Sequence, residues 1–340
     1  MAEKIQVSLN GRKIEVEKGI TLQELFSRSL NTEKQKPLVV AAKVNNRIRE
    51  LTYPLFENCK IEQVDLSMRD GERIYSRSLV LVFLRACKEL FPECKVTVEH
   101  SFGGGLYCEV HGPITLSPLV VERIEARMRA IIDRDEPIEK VEVSMDEANK
   151  IFLELGLNDK AELMKYRREK TISLYHCGKM IDYLYGYMVP STGYLKKFAL
   201  KFYLPGVILQ YPGYNSSTEV RPFHDNPKLF TIFRQAEKWS ATVGIRNVAD
   251  LNKCIEEGRG PDLIRISEAH QEKQIAAIAD LIAQHADTVR IILIAGPSSS
   301  GKTTFAQRLR VQLMVNGLHP VPISLDNYYL DHDQIPLDEN

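Results

Sequence analysis

The feature that most constrains the fold is the run Gly296-Pro297-Ser298-Ser299-Ser300-Gly301-Lys302-Thr303. It lies between an apolar stretch, Ile291–Ala295, and a helical pattern from about Lys302 to Asn316. The G-x-x-x-x-G-K-T spacing is specific when a strand precedes it and a helix follows. Its glycines let the backbone fold tightly enough for N–H groups to converge on phosphate, and the helix N-terminus adds partial positive charge. Lys302 supplies a full charge, and the Thr303 hydroxyl is suited to ligate Mg²⁺. The candidate nucleotide-binding residues are Gly296, Ser298, Ser299, Ser300, Gly301, Lys302, Thr303 and Thr304, and the implied cofactors are ATP and Mg²⁺. The plainer alternative is a Gly/Ser loop with no ligand. Ile291–Ala295 predicts the central strand of a parallel sheet. Gly317 caps the helix, and Val321-Pro322-Ile323-Ser324-Leu325 predicts a second strand ending at Asp326. Ligands of open α/β sheets bind at the carboxyl ends of strands. Asp326 there is placed to accept a proton from an attacking hydroxyl; the alternative is a turn or helix-capping aspartate.

The rest of the 340-residue chain exceeds one domain. Residues 1–65 predict a β-grasp module. Ile5–Leu9 and Lys13–Val16 form its hairpin about an Asn10-Gly11 turn, Thr21 and Glu24 a capping box for a helix over Leu22–Leu30, and Val39–Val44 a further strand. Residues 66–225 predict an α+β unit. Its helices cover Ser76–Leu90, Pro118–Arg134 and a stretch from the Ser144/Glu147 capping box to Leu155, with Gly156 as stop. Strands are expected at Val96–Val98, at Leu106–Val110 and through much of 171–211, with Gly103–Gly105 as a hairpin turn or a close approach to a ligand. Residues 226–288 read as a helical connector burying Ile275, Ile278 and Ile282. Residues 289–340 begin the phosphate-loop domain. The fold class expected is therefore α/β and α+β, multidomain.

Lys+Arg and Asp+Glu both number 45, so no global charge favours nucleic acid or an anionic membrane. The run Lys165–Lys170 is the densest basic stretch and reads as a solvated face. The six cysteines lack a C-x-x-C pair, the N-terminus lacks a signal-like apolar core, and Leu79–Leu84 is too short to span a bilayer. A cytoplasmic protein with reduced cysteines is expected. Cys108-x-x-His111, with His100 and with His176-Cys177, offers candidate metal ligands in no closed zinc spacing; a buried cysteine and a surface histidine are the plainer reading.

Ser324-Leu325-Asp326-Asn327-Tyr328-Tyr329, with Gly296–Thr303, resembles the uridine kinase and phosphoribulokinase family of P-loop kinases. The resemblance covers about the last fifty residues. It implies that Asp326 is the general base for a nucleoside 5′-hydroxyl and that Tyr328 and Tyr329 lie near the substrate. The family's later acidic residue, sugar and base contacts and arginine-bearing lid are absent, so a fragment with little transfer activity of its own is expected. The front half resembles threonyl-tRNA synthetase. Val39–Asn45 and Leu51–Leu55 are similar to its TGS domain; Glu89–Pro92, Gly105–Tyr107, Ile138–Ser144 and Val189-Pro190-Ser191-Thr192-Gly193 are similar to its editing-type domain. That domain carries an H-x-x-x-H pair and a Cys and His flanking the V-P-S-T-G stretch. Arg77 and Leu81, and Leu184 and Met188, stand at those places. None of the four binds a metal or activates water as imidazole and thiolate do, so the resemblance implies the scaffold without the editing activity.

Two readings follow. In one the chain is an ATP-dependent uridine or cytidine kinase, with Lys302 and Asp326 catalytic, Thr303 on Mg²⁺, and a synthetase-like regulatory region. In the other it is a nucleotide-gated module binding RNA or a small effector. Oligomeric state is left open by the sequence.

Overall fold

The computed structural model describes residues 3–9, 11–29, 37–330 and 334. The chain divides into two compact units, Met1–Trp239 and Ser240–Asn340. It is a mixed α/β multidomain protein.

The first unit opens with β1 (Lys4–Leu9), β2 (Arg12–Glu17), α1 (Leu22–Ser29), β3 (Val39–Val44), β4 (Arg47–Glu50) and β5 (Cys59–Asp65). These strands form one sheet in the order β2-β1-β5-β3-β4, with β1 and β5 parallel and the other pairs antiparallel. The hairpin turns on Gly11 at φ +85°, which glycine adopts freely; Asn10 and Leu30 lie outside the described residues. Helix α1 starts where its capping pair directs. Glu24 N donates to Thr21 Oγ1 at 3.2 Å and Thr21 N donates to Glu24 Oε2 at 2.9 Å. Its Leu22, Leu25 and Phe26 face Ile5, Val7 and Ile61 of the sheet in one buried cluster.

There follow α2 (Arg69–Leu90), β6 (Lys95–Phe102), β7 (Gly105–His111), α3 (Pro118–Asp133), β8 (Ile138–Ser144), α4 (Met145–Glu154), α5 (Asn158–Met164), β9 (Thr171–Cys177) and β10 (Met180–Asp182). The unit continues with β11 (Ala199–Tyr203), β12 (Gly206–Gln210), β13 (Pro212–Gly213), β14 (Ser216–Val220) and the first part of α6 (Pro227–Val243). Strands β11-β12-β7-β6 and β10-β9-β8 make two antiparallel sheets. Apolar residues of α2 and α3, among them Leu79, Phe83, Ile124 and Met128, form the core with Val207 and Leu209. Ser144 Oγ caps α4 by accepting Glu147 N at 3.2 Å, and Gly156 ends that region at φ +72°. Gly103 and Gly104, at φ +61° and +88°, are the two turn residues between β6 and β7, the primed hairpin geometry. The glycine cluster is thus a turn, and a Cβ on Gly103 would lie 2.3 Å from the Phe223 ring.

The second unit contains α7 (Val248–Glu256), α8 (Gly260–Gln284) and α9 (Lys302–Val315). Ile275 and Ala279 of α8 pack on Leu309 and Leu313 of α9, with Ile282 and Phe305 half-buried. Ile278, expected inside, is 40 % exposed. It lies three residues from Ile275, on the edge of a stripe that here follows the four-residue spacing. The expected parallel strands are not formed: 291–295 and 321–325 carry no ladder, and Leu293 is 88 % exposed. An apolar run codes for burial, whereas a strand exists only by pairing. Among the described residues no strand runs beside either segment. No described helix is long and apolar enough to cross a membrane.

Candidate functional site

The loop from Gly296 to Gly301 is exposed and leads directly into α9 at Lys302. Ser299 and Gly301 are left-handed, at φ +60° and +83°, while Ser300 N donates to Pro297 O at 3.3 Å. Such a backbone turns successive N–H groups towards one side, and Gly301 caps α9 without covering its first turn by a side chain. A Cβ on Gly296 would lie 2.7 Å from Ser300 Oγ, so a side chain there would crowd the loop. Lys302 folds back across it, Nζ donating to Pro297 O at 2.8 Å. The loop residues fit a bound polyphosphate: the loop is exposed, and Lys302 beside it is held by the Pro297 carbonyl. Thr303 and Thr304 are exposed in the first turn of α9.

Asp326 is not at a strand end. It lies in a short 3-10 turn, Leu325–Tyr328, where its N–H donates to Ser324 Oγ at 3.3 Å. The turn reading of this aspartate thus describes its local geometry, with Ser324 as the cap. Tyr328 and Tyr329 are 71 % and 79 % exposed. Among the described residues no hydrogen bond or ion pair joins Asp326 or these tyrosines to the loop.

The four positions that the synthetase resemblance sets against metal-type ligands, Arg77, Leu81, Leu184 and Met188, lie in the first unit. Arg77, in the third turn of α2, donates from Nη1 to Tyr187 O at 2.8 Å. Its guanidinium lies over Gly186 (φ +117°), 2.6 Å from where a Cβ would be. Burial lowers its pKa from the ordinary guanidinium value. Leu81 and Met188 are buried and Leu184 packs on the same core. A carboxylate missed in the sequence completes the arrangement. Glu50 of β4 accepts from Tyr175 OH at 2.5 Å and from Met188 N at 3.0 Å through one oxygen. The Tyr175 hydroxyl is also 2.7 Å from Gly186 O, so its single proton is shared between two acceptors. Burial, then the Glu50 carboxylate, pushes the Tyr175 pKa up. On α2 the next residue, Ser78, accepts Val189 N at 3.0 Å. These bonds fix the backbone of 186–189 and fill the place with a guanidinium, a carboxylate and apolar side chains.

No group of three or more His, Cys, Asp or Glu suited to a metal occurs among the described residues. Cys108 and His111 are three apart on β7, so they face opposite sides. Cys108 is buried with Sγ directed at Leu106 O, while His111 meets Thr97 Oγ1 at 3.1 Å and Glu109 Oε2 at 3.5 Å. His100 stacks on Phe233, centroids 3.9 Å apart, and Cys177 Sγ accepts Arg85 Nη1 at 3.3 Å. A shallow depression of about 330 Å³ on the first sheet is lined by Lys13, Lys60, Asn45 and Asn58. Both asparagine oxygens are already taken, by Lys60 N and Gln6 N.

No protein-family model matches the chain. Part of it is similar to threonine–tRNA ligases. It is 32% identical to that of Clostridium kluyveri over 194 residues, which is 56% of this chain and 30% of the ligase. It is 31% identical to that of Symbiobacterium thermophilum over 202 residues, covering 59% of this chain and 31% of the relative. It is 36% identical to that of Syntrophotalea carbinolica over 166 residues, covering 47% and 26%. The chain thus contains a threonyl-tRNA synthetase-like region and spans about a third of the length of the curated relatives it matches. The phosphate-loop region draws its reading from its own residues.

Proposed function

We propose that this chain carries the nucleotide-binding part of an ATP-dependent phosphotransferase acting on a nucleoside, uridine or cytidine, joined to a synthetase-like region that serves binding or regulation. The observation that carries the reading is the left-handed pair Ser299 and Gly301 feeding α9 at Lys302. Loop N–H groups and the helix N-terminus hold the β- and γ-phosphates, and Lys302 exchanges its bond to Pro297 O for a phosphate oxygen. Thr303 offers its hydroxyl to Mg²⁺, which when bound neutralises charge on the transferring group. Asp326 accepts the 5′-hydroxyl proton, with Tyr328 and Tyr329 beside the acceptor. In the first unit, β1-β5 parallel pairing with α1 across the sheet supports the β-grasp assignment, and Arg77, Leu81, Leu184 and Met188 support loss of editing chemistry.

The test is Mg·ATP binding followed by nucleoside-dependent ADP release in the natural protein, with Lys302→Ala as control. Binding and pyrimidine-dependent turnover, both lost in the control, are expected. Absence of binding in the wild type would overturn the reading. The capped turn around Asp326, which no bond among the described residues joins to the loop, favours a second reading, a nucleotide-gated module for RNA or a small effector. Tight Mg·ATP binding without turnover on any acceptor, together with salt-dependent RNA binding, would select it.

A further inference from the structure

Helix α9 carries the loop at its N-terminus, and its burial comes from α8. Leu309 and Leu313 are each 3 % exposed, and the buried residues opposite them are Ile275 and Ala279. A polar rail follows the same seam. Glu272 Oε2 accepts Arg308 Nε at 2.7 Å and is also reached by Nη2, while Glu272 Oε1 accepts Gln312 Nε2 at 2.6 Å. One turn on, Asn316 Nδ2 donates to Asp280 Oδ1 at 2.8 Å. The pairs 272 with 308 and 312, and 280 with 316, rise together in number, so α8 and α9 run in the same direction. Residues 286–301 must therefore return from the end of α8 to the start of α9, passing through the apolar run 291–295. Helix, returning apolar segment and parallel helix are the order of an α/β layer.

We infer that α8 is a working part of the phosphate-binding unit rather than a connector, and that Glu272 is a positioning residue that couples it to the loop through Arg308 and Gln312. This rests on the nucleotide reading above. A rigid helix displaced along its axis displaces its N-terminus by the same amount, so bonds on the second and third turns of α9 fix where the loop's N–H groups point. Linkage makes the coupling reciprocal: phosphate binding tightens the α8–α9 seam as the seam tightens binding.

The experiment uses the whole chain. Mg·ATP affinity is measured by calorimetry for wild type, Lys302→Ala, Glu272→Arg and the exchanged pair Glu272→Arg/Arg308→Glu, with amide hydrogen exchange of 275–284 read with and without Mg·ATP. Expected are protection of α8 on binding, about three- to tenfold weaker binding in Glu272→Arg, and recovery in the exchanged pair, which a lost fold would not give. Should Glu272→Arg fail to fold, the wild-type exchange measurement decides alone. No Mg·ATP binding by the wild type overturns the nucleotide reading and this inference with it. Binding with α8 exchange unchanged, or with Glu272→Arg as tight as wild type, overturns this inference only.

Discussion

Gly71, the third residue of α2, has the carbonyl oxygen of Asp65 1.9 Å from where a Cβ would lie. Alanine gains about 1 kcal/mol over glycine in a helix interior, but overpacking against fixed backbone costs about 1–3 kcal/mol or more. Sterics prevail, and Gly71→Ala is expected to lower stability by about 1–2 kcal/mol; equal denaturant midpoints for variant and wild type would refute this. Charge acts at the same scale around Arg85. Its side chain is 7 % exposed and donates to Glu136 Oε2 at 2.6 Å and to Glu89 Oε1 at 2.8 Å. The bond from Arg85, helped by Arg134, holds the Glu136 carboxyl below its ordinary 4.5. A lowered carboxylate stabilises the fold above its unfolded pKa, and that share is lost as pH falls through the folded value. Glu136→Gln should therefore cost about 1–2 kcal/mol at pH 7, with the gap to wild type closing well below pH 4. Urea titrations at both pH values check it, and a pH-independent gap would exclude the electrostatic cause. What the sequence made legible here was local. Thr21 with Glu24 forms the reciprocal capping box its three-residue spacing implies, whereas at Ser144 and Glu147 the described bonds give only the serine half, Glu147 N on Ser144 Oγ. Glu50 and Tyr175 are 125 residues apart, and nothing near either announces the other.

At the scale of elements, Glu50 ties β4 of the first sheet to β9 and to the 186–189 stretch. Removing its carboxylate leaves Met188 N without its acceptor, while Tyr175 OH keeps Gly186 O. Leaving one buried donor unpaired costs about 1–3 kcal/mol, so Glu50→Ala should destabilise by that amount. Tyr175→Phe on that background should cost less than it does alone, because the two share one bond. Additive losses in the double-mutant cycle would show that the pair is not coupled. Period and turn chemistry placed the β6–β7 hairpin well: Gly103-Gly104 supplies two positive φ values. On β7 the two-residue alternation separates Cys108 from His111 and dissolves the metal reading. Pattern does not suffice for 291–295, an apolar run that predicts a paired strand and carries no ladder. Hydropathy reports what a segment would bury, and pairing needs a partner strand that composition does not contain.

For the whole molecule, the two units differ in how far their apolar residues are satisfied. The first encloses large cores through α2, α3 and their sheets, whereas the second leaves Ile291, Leu293, Val321, Ile323 and Leu325 between 69 % and 88 % exposed. Exposed large apolar side chains in such number are uncommon on a soluble monomer, and where they gather they mark association. Each of these side chains forgoes about 1.5–3 kcal/mol of burial, so any association that covers several of them is favoured even after its entropic cost. The chain should bind an apolar reporter dye and sediment with a concentration-dependent mass. Leu293→Lys combined with Ile323→Lys should weaken both, because charge at two of the five sites removes exposed apolar surface without touching the buried seam of Ile275, Ala279, Leu309 and Leu313. Gly71→Ala, whose effect lies in the first unit's core, should leave the mass dependence unchanged under conditions where it stays folded. A dye-silent chain whose mass is constant across concentration would mean that these residues are covered in solution. The segments 291–295 and 321–325 would then have found the pairing that their composition implies.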